Sequence, residues 1–206
     1  MRHFGDIMFT EGVRAEQERM GSREAYARMT AAPAPAGLTE REASFIAARD
    51  SFYMATVNEE GWPYVQHRGG PAGFLKTLGA TTLGFADYRG NRQYVSTGNL
   101  AKDARTSLFL MDYPNRARLK ILGRTIVTPA ADNADLAARL HFEGEGRVER
   151  LFVIEVEAFD WNCPQFITPR YTAEEIRAVV GERVAELERE NEALKKKLEN
   201  CGPSEG

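Results

Sequence analysis

Two short stretches of the sequence hold the side chains best suited to chemistry. Gln66-His67-Arg68 ends a β-patterned run and leads into Gly69-Gly70-Pro71, and Asp87-Tyr88-Arg89-Gly90-Asn91-Arg92-Gln93 ends a second such run. Glycines let a backbone approach a ligand closely, and arginine with amide side chains supplies donors that a phosphate accepts. Lys102 and Arg105 follow on a helix-patterned stretch and add positive charge. This layout suits a phosphorylated, planar cofactor lying against a sheet, although glycine- and arginine-rich turns also serve simply to reverse the chain. No nucleophile–base triad and no paired-carboxylate motif accompanies these stretches. His3, His67 and His141 are too scattered for a zinc site, and Cys163 alone does not change that.

The elements that must carry these residues read mainly as strands. Phe52–Val57 and Tyr64–His67 flank Asn58-Glu59-Glu60-Gly61 in a hairpin pattern. Thr81–Ala86, Ser107–Met111, Arg118–Val127 and Leu151–Phe159 are further runs of β-branched and aromatic residues. Asn99–Arg105 and Asp132–His141 read as short helices between them. Thr39 with Glu42 has capping-box spacing and opens a helix through Phe45, Ile46 and Ala48. Six strands without regular βαβ alternation predict an α+β, mainly β fold built on an antiparallel barrel. Before it, residues 1–38 form a helical arm that ends in the linker Ala31-Ala32-Pro33-Ala34-Pro35-Ala36-Gly37, which cannot continue a helix. The expected division is this arm, a barrel over 39–171 and a tail over 172–206.

The tail is almost entirely strong helix formers. Val180, Val184, Leu187, Asn191, Leu194, Leu198 and Cys201 recur at alternating steps of four and three, an a/d heptad seam. Leu187, Leu194 and Cys201 fall at d and Asn191 at a, where an amide finds its partner across a parallel two-stranded axis. Arg183 (g) then faces Glu188 (e) of a second copy, and Glu190 (g) faces Lys195 (e). A homodimeric parallel coiled coil is expected; the alternative is a single solvated helix. Cys201 stands where it can pair with its mate under oxidising conditions, and in a reducing compartment it stays a thiol.

The 206 residues carry 27 Lys+Arg against 30 Asp+Glu, a formal charge of −3, which argues against nucleic acid as a partner. No apolar run approaches the roughly 20 residues that span a bilayer. The N-terminus has no secretory pattern and two cysteines make no disulfide framework, so a cytoplasmic location is expected.

Taken in order, four motifs resemble the pyridoxamine 5′-phosphate oxidase-like FMN-binding split-barrel family, in its branch of flavin-nucleotide-binding proteins. They are Gln66-His67-Arg68-Gly69-Gly70-Pro71-Ala72-Gly73-Phe74, Asp87-Tyr88-Arg89-Gly90-Asn91-Arg92, Gly98-Asn99 and Trp161-Asn162-Cys163-Pro164-Gln165-Phe166-Ile167. Phe9-Thr10, Val13, Gln17, Gly21-Ser22 and Tyr26 also look like that branch, so the resemblance covers roughly residues 9–170. It implies a six-stranded antiparallel split β-barrel with flanking helices that dimerises and binds FMN in clefts at the interface. Gln66, His67 and Arg68 match the strand end that meets the flavin, with Gly69 following. Asn91, Arg92 and Gln93 stand where the oxidases have a Ser-Arg-Lys phosphate clamp; Gln93 in place of Lys removes one charge. Asp87 and Asn99 belong to the matching motifs, and Trp161, Asn162, Cys163 and Gln165 stand where the family closes the cleft from the partner subunit. The resemblance implies an FMN-dependent oxidoreductase acting on a small molecule. The alternative is a non-catalytic flavin, deazaflavin or haem carrier. The oxidases end in an Arg-x-His substrate grip, whereas this chain reads Phe166-Ile167-Thr168-Pro169-Arg170-Tyr171, so their own substrate is not expected here.

Overall fold

The computed structural model describes residues 1–90, 92–142, 146–161 and 164–200. Seven antiparallel strands form one sheet: β1 (Ser51–Val57), β2 (Pro63–Gly69), β3 (Lys76–Thr77), β4 (Thr82–Tyr88), β5 (Arg105–Asp112), β6 (Ala117–Pro129) and β7 (Val148–Trp161), in the order β2-β1-β5-β6-β7-β4-β3. Six of them are the strands expected from sequence, each with shifted ends. The seventh, β3, is two residues that pair with Leu83 and Gly84 of β4. The sheet curls into a barrel, because β2 and β4, five places apart in strand order, meet side chain to side chain: Arg68 Nη1 donates to Asp87 Oδ1 at 2.8 Å. The split lies at this seam, where side chains instead of backbone ladders join the strands.

Alternation sets the core. Phe52 and Met54 of β1, Leu108 and Leu110 of β5, Leu119 and Ile121 of β6, and Phe152 and Ile154 of β7 all point inward and are buried. Phe52, Phe74, Phe85 and Phe152 form its aromatic centre, with Phe85 and Phe152 stacked at 4.7 Å between centroids. Where β6 bulges at Leu122/Gly123, a side chain has no room: a Cβ on Gly123 would lie 2.5 Å from the Glu155 carbonyl oxygen.

Helices close the barrel ends. α4 (Glu40–Ala47) opens on the Thr39–Glu42 capping box and buries Ile46. α5 (Val95–Lys102) begins four residues before the sequence pattern places it, and Arg105 lies in β5 instead of on the helix. α6 (Ala134–Leu140) is capped by Asn133, whose Oδ1 accepts from the Leu136 amide at 3.0 Å. The arm comprises α1 (Phe4–Met8), α2 (Glu11–Arg19) and α3 (Arg23–Ala31), the last two separated at Gly21, whose φ of 74° a glycine tolerates.

Residues 1–112 and 117–165 form one compact unit; residues 113–116 and 166–206 form another. In the second, α7 (Ala173–Asn200) runs 28 residues with Val184, Leu187, Leu194 and Leu198 exposed in the single chain. Arg183 pairs with Glu186 and Lys195 with Glu192 along that helix. Among the described residues no helix is long and apolar enough to cross a membrane, and no cluster of His, Cys, Asp or Glu has the grouping a metal ion needs.

Trp161, assigned from the resemblance to the cleft, ends β7 against α4. Its Nε1 donates to Glu42 Oε1 at 2.7 Å, its ring meets Phe45 edge-on, and the Arg41 guanidinium lies 4.3 Å above it. Burial alone would raise the Glu42 pKa, but hydrogen bonds from Thr39 and Trp161 outweigh it and hold the carboxyl below its ordinary value of 4.5. A carboxylate depressed on folding stabilises above its unfolded pKa, and that contribution is lost as pH falls through the folded value. The urea midpoint of wild type is therefore expected to exceed that of Glu42→Gln at pH 7, with the gap closing below pH 4.5. A gap unchanged at pH 3 would refute the role of the charge.

Candidate functional site

The cleft lies at the barrel seam, with a volume of about 220 Å³. β2 supplies Tyr64, Gln66 and Arg68, alternate residues on one strand face; β4 supplies Asp87 and Tyr88; the turn after it supplies Arg92, Gln93 and Tyr94; α5 supplies Val95, Ser96 and Thr97. Arg150 completes it from β7, where it stands directly opposite Asp87 in register.

Three guanidinium groups and one carboxylate line this space, and they are not equivalent. Asp87 is bracketed: Arg68 donates to Oδ1, and Arg150 Nε donates to Oδ2 at 3.0 Å. Arg68 is only 13% exposed, its Nε has no hydrogen-bond partner among the described residues, and its guanidinium lies 5.0 Å over the Phe152 ring. Burial pushes the Arg68 pKa down, and the Asp87 charge partly restores it. Burial acts against the Arg150 charge too, but hydrogen bonds to Asp87 and Tyr94 outweigh it and raise its pKa. Arg92 is exposed, and its Nε reaches only the Tyr94 hydroxyl, at 3.3 Å. The cleft lining therefore carries excess positive charge, and among the described residues Arg92 is the cleft arginine with no carboxylate bonded to it.

The backbone reinforces this. The first amides of any helix lack intrahelical acceptors, and no side chain caps α5. Val95, Ser96 and Thr97 place that first turn in the cleft wall, where N–H groups and helix dipole favour a phosphate. Tyr94, just before it, adopts φ 55° and ψ 21°, a left-handed conformation that costs a non-glycine residue about 1–2 kcal/mol. Its phenol stands between Arg92 and Arg150, which hold its pKa below the ordinary value of 10. Ser96 Oγ donates to Gln66 Oε1 at 2.8 Å, which fixes the Gln66 side chain, and its amide nitrogen has no partner among the described residues.

The structure brings together Gln66, Arg68, Asp87, Arg92 and Gln93 of the residues expected from sequence. His67 points to the opposite face of β2, where its ring meets Tyr53 at 5.6 Å. Gly69 pairs with Ser51, and Asn99 is buried, donating from Nδ2 to Thr56 Oγ1 at 3.0 Å. Gln165 is exposed, outside the cleft lining, and within this chain Trp161 serves α4. Asn91, Asn162 and Cys163 lie outside the described residues. Arg150, Tyr94, Ser96 and Thr97 escaped the sequence reading. Glu149-Arg150 carries no motif, and only the β4–β7 register, a tertiary fact, puts Arg150 beside Asp87.

Solved structures with similar chain paths include HupZ of Group A Streptococcus (14% identical, TM-score 0.47, covering 65% of this chain and 99% of that one). A second is a protein of the pyridoxinephosphate oxidase family from Clostridium acetobutylicum, related to general stress protein 26 of B. subtilis (13%, TM-score 0.43, 58% and 83%). A third is an FMN-binding protein from Syntrophomonas wolfei (14%, TM-score 0.40, 72% and 97%). No curated protein matches the sequence significantly. The family model for pyridoxamine 5′-phosphate oxidase matches residues 38–162, the capped helix, the whole barrel and the cleft with it, and the chain belongs to that flavin-binding family.

Proposed function

We propose that the cleft holds the phosphate and ribityl end of FMN, and that the protein is an FMN-dependent oxidoreductase of a small molecule, working as a homodimer. The observation that carries this reading is the convergence, on one wall of the cleft, of the exposed Arg92 guanidinium and the first turn of α5, neither of which meets a carboxylate or a side-chain cap among the described residues. The Gln66 amide nitrogen, without a partner among the described residues, is a further donor at the same place. When bound, the flavin supplies the hydride or electron transfer, which is consistent with a cleft whose one carboxylate is already committed to two arginines. Arg92 and α5 grip the phosphate, Gln66 hydrogen-bonds the polar edge of the cofactor, and the Asp87 pairs keep the wall rigid. The cavity is smaller than the roughly 300–1,000 Å³ of complete ligand sites. A partner subunit that completes the ring-binding half accounts for the difference.

Two features support the dimer. Tyr53 and Val65 are exposed on the outer face of β1 and β2, with Phe109 beside Tyr53 in register, leaving apolar surface for a second barrel. The seam of α7 adds Val184, Leu187, Asn191, Leu194 and Leu198. In a parallel pair Asn191 meets Asn191 and both flanking charge pairs are attractive; an antiparallel pair would set the amide against leucine. A chain ended before Thr172 is expected to remain dimeric by light scattering, because the barrel faces suffice. A monomeric truncation would assign dimerisation to the coil.

The test of function is a visible spectrum and mass identification of what co-purifies, followed by turnover with a nicotinamide donor. A flavin spectrum with the mass of FMN and measurable turnover are expected. A Soret band or a deazaflavin mass would overturn the cofactor, and bound FMN without turnover would make the protein a carrier.

A further inference from the structure

The N-terminal arm lines a second, open cavity of about 390 Å³ against β6 and β7, and none of its lining residues belongs to the seam cleft. The arm is fastened over it. The Arg2 amide donates to the Glu157 carbonyl at 2.8 Å, and His3 Nε2 lies 2.5 Å from the Ala32 carbonyl oxygen. Aromatic rings line it: Phe4, Phe9, Tyr26 and Phe159, with Phe9 and Tyr26 edge-to-face at 5.3 Å. On the sheet side Lys120 Nζ pairs with Asp160 at 2.7 Å and sits 4.4 Å over the Phe4 ring.

Gln17 decides what the space is suited to. It lines the cavity and is only 9% exposed. Its Oε1 receives one long contact, 3.4 Å from Arg23 Nη1, and its amide nitrogen has no partner among the described residues. Its amide faces the cavity from α2, a polar helix with no other buried side chain. A flat guest with a donor beside an acceptor on one edge would satisfy both ends of the amide, the pairing glutamine makes with adenine. Its ring faces would contact the aromatic walls.

We infer that the arm cavity is a second binding site, for a small planar nitrogen heterocycle of purine type held by the Gln17 amide between the aromatic walls. The site is independent of the flavin reading, since the two cavities share no residue.

The test titrates adenosine into the full-length protein, saturated with FMN if FMN binds, and follows backbone amide shifts. Saturable binding is expected, with shifts concentrated in the arm and at Lys120 and Asp160. Gln17→Glu, which keeps the size and removes the donor, is expected to weaken it about tenfold, the weight of one buried hydrogen bond. Tyr26→Leu, on a different helix, is expected to weaken it several-fold by removing a ring face, and it serves as the check if the Gln17 variant does not fold. Arg92→Ala is expected to leave adenosine binding unchanged. Three results would overturn the proposal: no saturable binding in the millimolar range, full affinity in both arm variants, or loss of binding in Arg92→Ala, which would assign adenosine to the seam cleft.

Discussion

Replacing Asp87 with alanine is expected to lower stability by about 3–5 kcal/mol, the cost of leaving a buried charge uncompensated. The side chains of Arg68, Asp87 and Arg150 are 13%, 15% and 20% exposed, so water screens the triad poorly. Without the carboxylate, Arg68 keeps its place over Phe85 and Phe152 with no counter-charge and with the Arg150 cation facing the gap. The burial that already pushes the Arg68 pKa down then acts without its main opposition, the Asp87 charge. Urea unfolding should show a lower midpoint at an unchanged slope. The triple variant Arg68→Met/Asp87→Leu/Arg150→Met separates this from a packing defect, because replacing all three charges by apolar groups is close to neutral. A triple variant as unstable as Asp87→Ala would show that packing, not charge, fixes the seam.

Arg92→Ala is expected to weaken FMN binding by about 1.5–3 kcal/mol, roughly 10- to 150-fold in Kd, with little change in stability. Arg92 is exposed and contributes no buried surface, so the fold loses little when it is truncated. The charge-assisted bond proposed for it has no ready substitute: Arg68 and Arg150 are engaged by Asp87, and Gln93 beside it is uncharged. Titration of FMN into the apoprotein, read by flavin fluorescence, measures the change. Equal affinity in the variant would remove Arg92 from the site, and a matching loss with riboflavin, which has no phosphate, would place the contact elsewhere on the cofactor.

The strands were legible because their signal is local. Phe52-Tyr53-Met54-Ala55-Thr56-Val57 is a β-rich run bounded by turn residues, and Thr39 with Glu42 announced α4 three residues apart. β3 was not legible, since Lys76-Thr77 has no strand pattern and exists only because β4 offers it an edge. The start of α5 was hidden for a similar reason: Val95 and Thr97 are β-branched, and the cleft wall they build is helical against local preference. In the site, Gln66 and Arg68 both line the seam cleft, while His67 between them faces away, as a period of two requires. Trp161 satisfies its indole N–H with Glu42, a partner 119 residues away that no spacing in the sequence reveals.

The seam gives the barrel an uneven stiffness. Six of the seven strands hold at least one neighbour through a ladder of five or more backbone pairs, yet among the described residues β2 and β4 are joined through side chains and by no backbone ladder. Amide hydrogens along the outer edge of β2 and the end of β4 should therefore exchange with solvent sooner than those of β5 and β6, by local opening that leaves the rest of the barrel closed. A ligand lying across that opening joins both edges at once, so cofactor retention and the exchange rate of these two strands are one equilibrium observed by two means.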